Sequence, residues 1–140
     1  MGKADEDMNV LRDQYAAVNE RDWARAMSHY AEDVELVSPG SGLQAGTFTG
    51  KEAVGNWFGD WMATFDYDLH FEITELMELR DGSLLLFADH TARGKGSGIE
   101  LEAPIAWRYW LREGKIVRVL GGFEWVEDAR RVAEEEKAPG

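Results

Sequence analysis

An aspartate and a histidine stand side by side in the second half of the chain, as Asp89 and His90. Either side chain could act as a general base, because their ordinary pKa values are about 4 and about 6.5 and burial beside an apolar wall raises that of a carboxylate. Neighbours on one strand point to opposite faces of a sheet, so only one of the two can enter an internal cavity. The structural alternatives are a hydrogen-bonded or interface histidine at position 90 and a cross-strand pair of Asp89 with Arg93 or Arg108.

The glycines and the lysine in TARGKGSGIELEAPIAW, residues 91–107, raise the possibility of a phosphate-binding loop. Such a loop needs backbone N–H groups that converge at the start of a helix. Here the glycines are followed by apolar residues at every second position, from Ile99 to Trp107, which is the period of a strand. We therefore interpret the segment as the turn of a β-hairpin.

The composition limits the possible functions. The chain has 140 residues, 44% of them hydrophobic, with a net charge of −12 and no cysteine. This length is typical of one domain, so we expect a single domain over residues 1–140, with a core at about 8–130 and a charged tail at 127–140. A nucleic-acid partner is not expected, because the basic residues form no patch. No apolar run is long enough to cross a bilayer, and the start, MGKADEDMNV, does not have the pattern of a signal peptide, so we expect a cytoplasmic protein.

Helical periodicity dominates the first half of the chain. Apolar residues recur every three or four positions over about residues 8–20, and Asp22 is a suitable N-cap for a second helix that continues to Tyr30. A short strand is predicted at 34–38, followed by a loop through Gly50. A third helix over 51–65 carries large aromatic side chains on one side.

The second half has the period of β-strands. Asp81-Gly82 is a turn signal, and Gly121-Gly122 is typical of a bulge or sharp bend. Strands and a final helix are predicted at 67–74, 83–93, 99–111, 116–126 and 127–137. The order indicates an α+β fold, in which a curved antiparallel sheet wraps around the N-terminal helices as a cone.

Three segments in this order resemble the nuclear transport factor 2-like superfamily, and within it the bacterial SnoaL-like proteins: YAEDVELVSPG, GKEAV, and RGKGSGIELEAPIAWRYWLREGKIVRV. The resemblance covers about residues 8–130. It implies a cavity open at one end with an apolar lining, no obligatory metal or organic cofactor, and commonly a homodimer formed through the sheet. It leaves the activity open, because this fold hosts cyclases, isomerases, epoxide hydrolases and proteins without known activity.

The catalytic residues of ketosteroid isomerases are only partly present at the corresponding positions of this chain. Their oxyanion-donating tyrosine corresponds to Tyr15. Their general base, an aspartate before a proline, corresponds to Ser38, and their protonated aspartate corresponds to Ala103. Serine and alanine cannot take over these roles.

Other branches of the superfamily match no better. The acid–base aspartate of SnoaL-like cyclases falls at about Trp107. The Arg and Asp pair of limonene epoxide hydrolases falls near Asp89 and Thr91, and their further aspartate falls on Gly121.

Alternation predicts which residues face the cavity. One face of the penultimate strand carries residues 101, 103, 105, 107 and 109, and one face of the last strand carries residues 117, 119, 121 and 123. Catalytic candidates are Tyr15, Asp89 and His90. The candidates for contact with a hydrophobic small molecule are Ser38, Trp57, Trp61, Ala103, Trp107, Tyr109, Val119 and Phe123.

Three functions remain open from the sequence. The first is a cofactor-independent isomerase, cyclase or hydrolase with Tyr15 as hydrogen-bond donor and Asp89 or His90 as acid–base group. The second is a binding protein that uses the same cavity without chemistry, and the third is an interaction domain whose cone is filled by its own side chains. The opposite sheet face, with Glu100, Glu102, Arg108 and Trp110, is a candidate surface for a homodimer, because a self-complementary surface needs both signs of charge.

Overall fold

Helices lie at both ends of the chain, and long strands lie between them. The structure is a computed structural model that describes residues 2–39, 45–65, 67–94 and 100–139. Its elements, in chain order, are α1 (Lys3–Asn19), α2 (Trp23–Met27), β1 (Tyr30–Ser38), β2 (Gly46–Thr49), α3 (Lys51–Phe65), β3 (Tyr67–Glu78), β4 (Leu84–Gly94), β5 (Glu100–Arg112), β6 (Lys115–Gly122), a 3-10 helix (Phe123–Trp125) and α4 (Val126–Glu136). No helix within these ranges is both long and apolar enough to cross a membrane.

The strands form one curved, open sheet in the order β2-β1-β6-β5-β4-β3. The predicted α+β class and cone-like sheet are thus confirmed. Several features differ from the prediction. The first strand begins at Tyr30, which was expected to end the second helix, and residues 123–125 form a 3-10 helix where the last strand was expected to continue. In addition, β2 lies where a loop was expected, and β1 pairs with β6 in parallel. Periodicity identifies a strand but not the direction in which it runs. The directions depend here on helix α3, which crosses from β2 at one edge of the sheet to β3 at the other.

The hairpin turns lie near the predicted positions. The β3–β4 turn has three residues, Arg80 to Gly82, and is closed by a hydrogen bond from the Leu79 N–H to the Ser83 carbonyl (2.8 Å). Gly82 has a φ of +88°, which explains the glycine there. The glycine-rich turn falls on residues 95–99, outside the described residues, but Arg93 pairs with Glu100 in the antiparallel β4–β5 ladder on either side of it.

The inner face of the sheet and helices α1–α3 enclose the main core. Ile105, Trp107 and Tyr109 of β5 are buried in it, as the alternation predicted. The last strand differs, because Trp110 pairs with Arg118 and Leu111 with Ile116, which leaves Val117 as an extra residue. This bulge turns Ile116 and Val119 inward together, so the inward prediction for Val117 was wrong.

Helix α4 covers part of the outer face of the sheet. Trp125 and Ala129 pack there in a second apolar cluster with Leu85, Phe87 and Ala106. The helix end is joined to the β3–β4 turn by backbone hydrogen bonds, from Arg80 N to the Glu136 carbonyl (2.8 Å) and from Ala138 N to the Glu78 carbonyl (3.0 Å). The charged tail is therefore docked on the side of the sheet away from the main core.

Gly121 sits where β6 approaches β5 too closely for any side chain. A Cβ atom there would lie 2.2 Å from the Ala106 carbonyl oxygen and 2.8 Å from the Trp107 Cα. We expect Gly121→Ala to lower the free energy of unfolding by about 2–5 kcal/mol, because backbone atoms on both strands must move.

Urea unfolding of the variant measures this loss. Gly59→Ala is the matched control, since Gly59 is an exposed residue of α3 with nothing within 4 Å of its Cβ position. That change should leave the free energy of unfolding unchanged or raise it by up to about 1 kcal/mol. Equal stability of the two variants would contradict the close approach.

Candidate functional site

A cavity of about 60 Å³ lies between the N-terminal helices and the inner face of the sheet. All four polar residues in its lining are uncharged: one glutamine and three tyrosines. The lining residues are Gln14, Tyr15, Val18, Trp23, Ala26, Met27, Tyr30, Phe58, Phe71, Trp107 and Tyr109. Trp23 is 46% exposed, and this marks the side on which the cavity opens to solvent.

The short helix α2 forms the wall at this opening. The Asp22 carboxylate caps it by accepting a hydrogen bond from the Arg25 N–H (3.2 Å). The Arg25 guanidinium makes an ion pair with Asp13 of α1 and another with Glu20 (2.9 Å). His29 Nε2 also lies 2.6 Å from the Asp13 carboxylate. Hydrogen bonds from Arg25 and then from His29 lower the pKa of Asp13 to about 2. Together these contacts fix α2 against α1.

Aromatic rings form most of the remaining wall. Phe71 meets Tyr15 edge-on at 5.9 Å, and its backbone N–H and carbonyl both bond to the side-chain amide of Asn19 (2.8 Å each). Trp107 meets Trp57 edge-on at 6.0 Å and also contacts Phe58. These edge-to-face contacts hold the rings at fixed angles, so the shape of the cavity follows from their packing.

The polar groups of the cavity form two hydrogen-bonded pairs. The hydroxyls of Tyr15 and Tyr109 are 2.8 Å apart, and Gln14 Nε2 donates to the Tyr30 hydroxyl at 2.9 Å. Burial raises the pKa of all three phenols well above 10. They therefore remain neutral at physiological pH and can donate hydrogen bonds, but they cannot act as bases.

The two acid–base candidates lie on opposite faces, as expected for neighbours on a strand. Asp89 follows Leu85 and Phe87 on the outer face, so of the two neighbours it is Asp89 that points away from the cavity. His90 is buried on the inner face with its ring 5.1 Å from that of Phe71. Phe71 lines the cavity while His90 lies behind it. Burial lowers the pKa of His90, which favours a neutral ring at pH 7.

Three of the predicted residues line the cavity: Tyr15, Trp107 and Tyr109. Trp57 and Val119 are buried in the core behind the lining, and Ser38 and Ala103 are half-buried on their strands and are not among the lining residues. The side chains of Trp61 and Phe123 lie outside the described part of the structure.

The sequence reading missed several lining residues because they come from elements treated as packing surfaces. Gln14 is three residues after Leu11 and four before Val18, so it shares the inner face of α1 with them. Tyr30 was predicted at the end of the second helix but begins β1, and Phe71 was predicted only as one of the alternating apolar residues of its strand. Trp23 and Met27 were identified only as part of the apolar stripe of α2.

In the part of the chain that the structure describes, no three His, Asp or Glu side chains come close enough together to hold a metal ion. The cavity has an apolar lining with a few neutral hydrogen-bonding groups.

This combination of an open curved sheet, N-terminal helices and an apolar cavity that opens at one side defines a protein of the nuclear transport factor 2-like superfamily. The chain belongs to the SnoaL-like domain family, whose model matches residues 11–119. It is 29% identical over 118 residues to the uncharacterized protein Rv0034 of Mycobacterium tuberculosis, covering 84% of this chain and 82% of that protein.

Two solved structures share the fold at low sequence identity. TerC, co-crystallized with polyporic acid, has a TM-score of 0.73 at 20% identity, covering 92% of this chain and 98% of that one. RV0760c of M. tuberculosis, in complex with estradiol-17beta-hemisuccinate, has a TM-score of 0.69 at 19% identity, covering 83% and 92%.

The three buried phenols give a prediction about pH. An unfolded phenol ionises at a pH of about 10 and the folded ones ionise higher, so the folded state holds more protons above this pH. The stability from neutral burial is therefore complete below about pH 10 and is lost as the pH rises further. In the folded protein we expect Tyr15, Tyr30 and Tyr109 to remain phenolic to about pH 11.

Ultraviolet absorbance of phenolate measures this directly. Titration curves of the folded wild type and of Tyr30→Phe should coincide up to about pH 11, while the urea-unfolded proteins should differ by one phenol that ionises at about pH 10. A difference between the folded proteins near pH 10 would show that Tyr30 is accessible to water.

Proposed function

We propose that this protein binds a small hydrophobic molecule in the cavity between α1, α2 and the sheet, and that it does so without acid–base chemistry. The observation that carries the proposal is the lining, in which apolar and aromatic side chains surround polar groups that are all neutral. Pockets of this kind, mainly apolar with few polar groups, are typical of small-molecule sites. The ligands named for TerC and RV0760c, polyporic acid and a steroid hemisuccinate, are built on apolar ring systems, which supports a ligand with a largely apolar body.

The size of the cavity determines how a ligand can enter. At about 60 Å³ it is smaller than the roughly 150 Å³ that accommodates benzene in an engineered protein cavity. A ligand must therefore extend through the opening beside Trp23 or displace a lining side chain. Met27 is suited to such displacement, because its unbranched side chain adapts readily.

The position of His90 favours a second candidate function, a cofactor-independent isomerase, cyclase or hydrolase. A neutral imidazole on the inner face could take a proton from a ligand whose carbonyl is polarised by the Tyr15 hydroxyl. Phe71 separates His90 from the cavity, so this chemistry requires the Phe71 ring to rotate away.

One experiment separates these functions. The purified protein is incubated with a panel of polyketide, steroid and terpene-epoxide compounds, and retained and released molecules are identified by mass spectrometry. A compound retained unchanged supports the binding protein. A chemically altered compound supports the enzyme, and His90→Gln should then abolish the alteration while binding persists. Retention of nothing would overturn both and favour a cone filled by its own side chains.

A cavity-filling variant tests the site itself. Ala26 is 3% exposed and lines the cavity, so Ala26→Leu should occupy its space and reduce binding of a retained compound about tenfold or more, or about 1.4 kcal/mol. Ala24→Leu is the matched control, because Ala24 is an exposed alanine on the same short helix. Titration of each variant with the compound measures the effect. Equal affinities would place the binding site elsewhere.

A homodimer through the sheet is a further proposal, which α4 restricts to part of the outer face. Arg108 is unavailable, because it bonds to Asp81 and Glu136 and its side chain is only 11% exposed. The uncovered strip contains Trp110, with the Arg118 guanidinium 4.8 Å above its ring, and Arg118 is paired with Glu35 at 3.2 Å. Two copies could join through this strip, since it offers both charges and an aromatic ring.

Sedimentation velocity tests the dimer. Arg118→Glu would place two acidic groups side by side in the strip and should shift the dimer toward monomer. Arg12→Glu, on the exposed side of α1, serves as a control for the change in net charge. A monomeric wild type would overturn the proposal.

A further inference from the structure

The amide of Gln14 is an unusual group to find in an apolar cavity. The residue is 5% exposed and lies in the lining, where its Nε2 donates to the Tyr30 hydroxyl. Its Oε1 is fully buried and accepts no hydrogen bond from the residues that the structure describes. Buried side-chain polar atoms nearly always have a partner, so this oxygen indicates a donor that arrives with a ligand.

The pair of Gln14 and Tyr30 offers one acceptor and one donor. With Nε2 directed at Tyr30, the amide oxygen is the available acceptor and the Tyr30 O–H proton is the available donor. If the amide is reversed, the Tyr30 O–H is used by the amide oxygen, and the NH₂ group and the phenol oxygen take over as donor and acceptor. Either arrangement complements a group that both donates and accepts a hydrogen bond. A hydroxyl is the smallest such group.

The surroundings favour a neutral ligand. None of the lining residues carries a charge at neutral pH, since glutamine does not ionise and a phenol is protonated well above neutral pH. An ionised ligand would lose its hydration without gaining a countercharge, which is costly in an apolar site. A carboxylate or ammonium group is therefore disfavoured at this end of the cavity.

We propose that the ligand is a neutral, largely apolar molecule with an alcohol or phenol hydroxyl, and that this hydroxyl binds the Gln14 amide and the Tyr30 hydroxyl together. The inference rests on the proposed function, since it specifies what the same cavity binds. The apolar body of the ligand then lies toward Phe58, Phe71 and Trp107, which line the rest of the cavity.

The test uses p-cresol and toluene, which have the same ring and methyl group and differ only by the hydroxyl. Nuclear magnetic resonance of ¹³C-methyl methionine reports binding at Met27 in the lining, and the side-chain ¹H–¹⁵N signals of Gln14 report contact with the hydroxyl. In the wild type we expect p-cresol to shift the Gln14 amide signals more than toluene does, because the toluene ring acts on them only through its ring current while p-cresol adds a hydrogen bond. This readout requires no substitution.

Gln14→Met provides the second measurement, because it keeps the length of the side chain and removes its amide. The ratio of toluene to p-cresol dissociation constants should fall about fivefold or more relative to the wild type, since one hydrogen bond is worth about that factor. Asn9→Met is the matched control: Asn9 is an exposed amide on the same helix, and the ratio should not change.

The outcomes distinguish this inference from the proposed function. A preference for p-cresol that is lost in Gln14→Met supports both. Binding of both compounds with an unchanged ratio, and equal shifts of the Gln14 signals, would overturn the hydroxyl assignment and leave cavity binding intact; a bound water would then satisfy Gln14. Failure of both compounds to bind would overturn both.

Discussion

Burial of the inner face of the sheet against the N-terminal helices is the interaction on which the rest of this structure depends. Strands β3–β6 present apolar residues on that face, and Leu11 and Tyr15 of α1 with Trp57 of α3 cover them. Aromatic rings bury a large area but pack only at certain angles, so flat side chains on a curved surface leave gaps. The cavity is the gap that remains where α1, α2 and the sheet meet. Its aromatic lining is thus a consequence of how the core is built.

The same burial determines which chemistry the cavity can perform. A charged group there would need a partner, and the lining supplies none. Its polar residues are a glutamine and three phenols, which are neutral at physiological pH. Acidic groups are numerous in this chain, yet Asp13 and Asp89 lie outside the cavity. Recognition by neutral hydrogen bonds is therefore the chemistry that this arrangement favours, while proton transfer depends on His90 behind Phe71.

The sequence predicted the parts of the fold that depend on local periodicity. The third helix, the alternation along β5 and the Asp22 cap are all local patterns, and the structure contains them. The parallel pairing of β1 with β6 and the bulge at Val117 depend on contacts between distant segments, which periodicity does not encode. The residues of the site divide in the same way, into those that local patterns predict and those that only the structure reveals.

Residues of the site on regular faces, such as Trp107 and Tyr109, follow from alternation, and Tyr15 follows from family resemblance. Alternation separated Asp89 from His90 but could not decide which one faces inward. Gln14 shares the inner face of α1 with Leu11 and Val18, so its position was available from spacing. Its significance was not, because only the structure shows that a polar group at this position is enclosed by Tyr30 and aromatic rings.

The walls of the cavity differ in how strongly they are held, and this difference determines where it can enlarge. The sheet wall is fixed by continuous ladders, and α1 is bound along its length to the core. Helix α2 has only five residues. It is held by its cap, by ion pairs of Arg25 with partly exposed acidic groups, and by the packing of Ala26 and Met27 against the core. Exposed ion pairs of this kind contribute about 0–1 kcal/mol each. The polar contacts that hold α2 are therefore individually weak, and the exposed Trp23 lies on that helix.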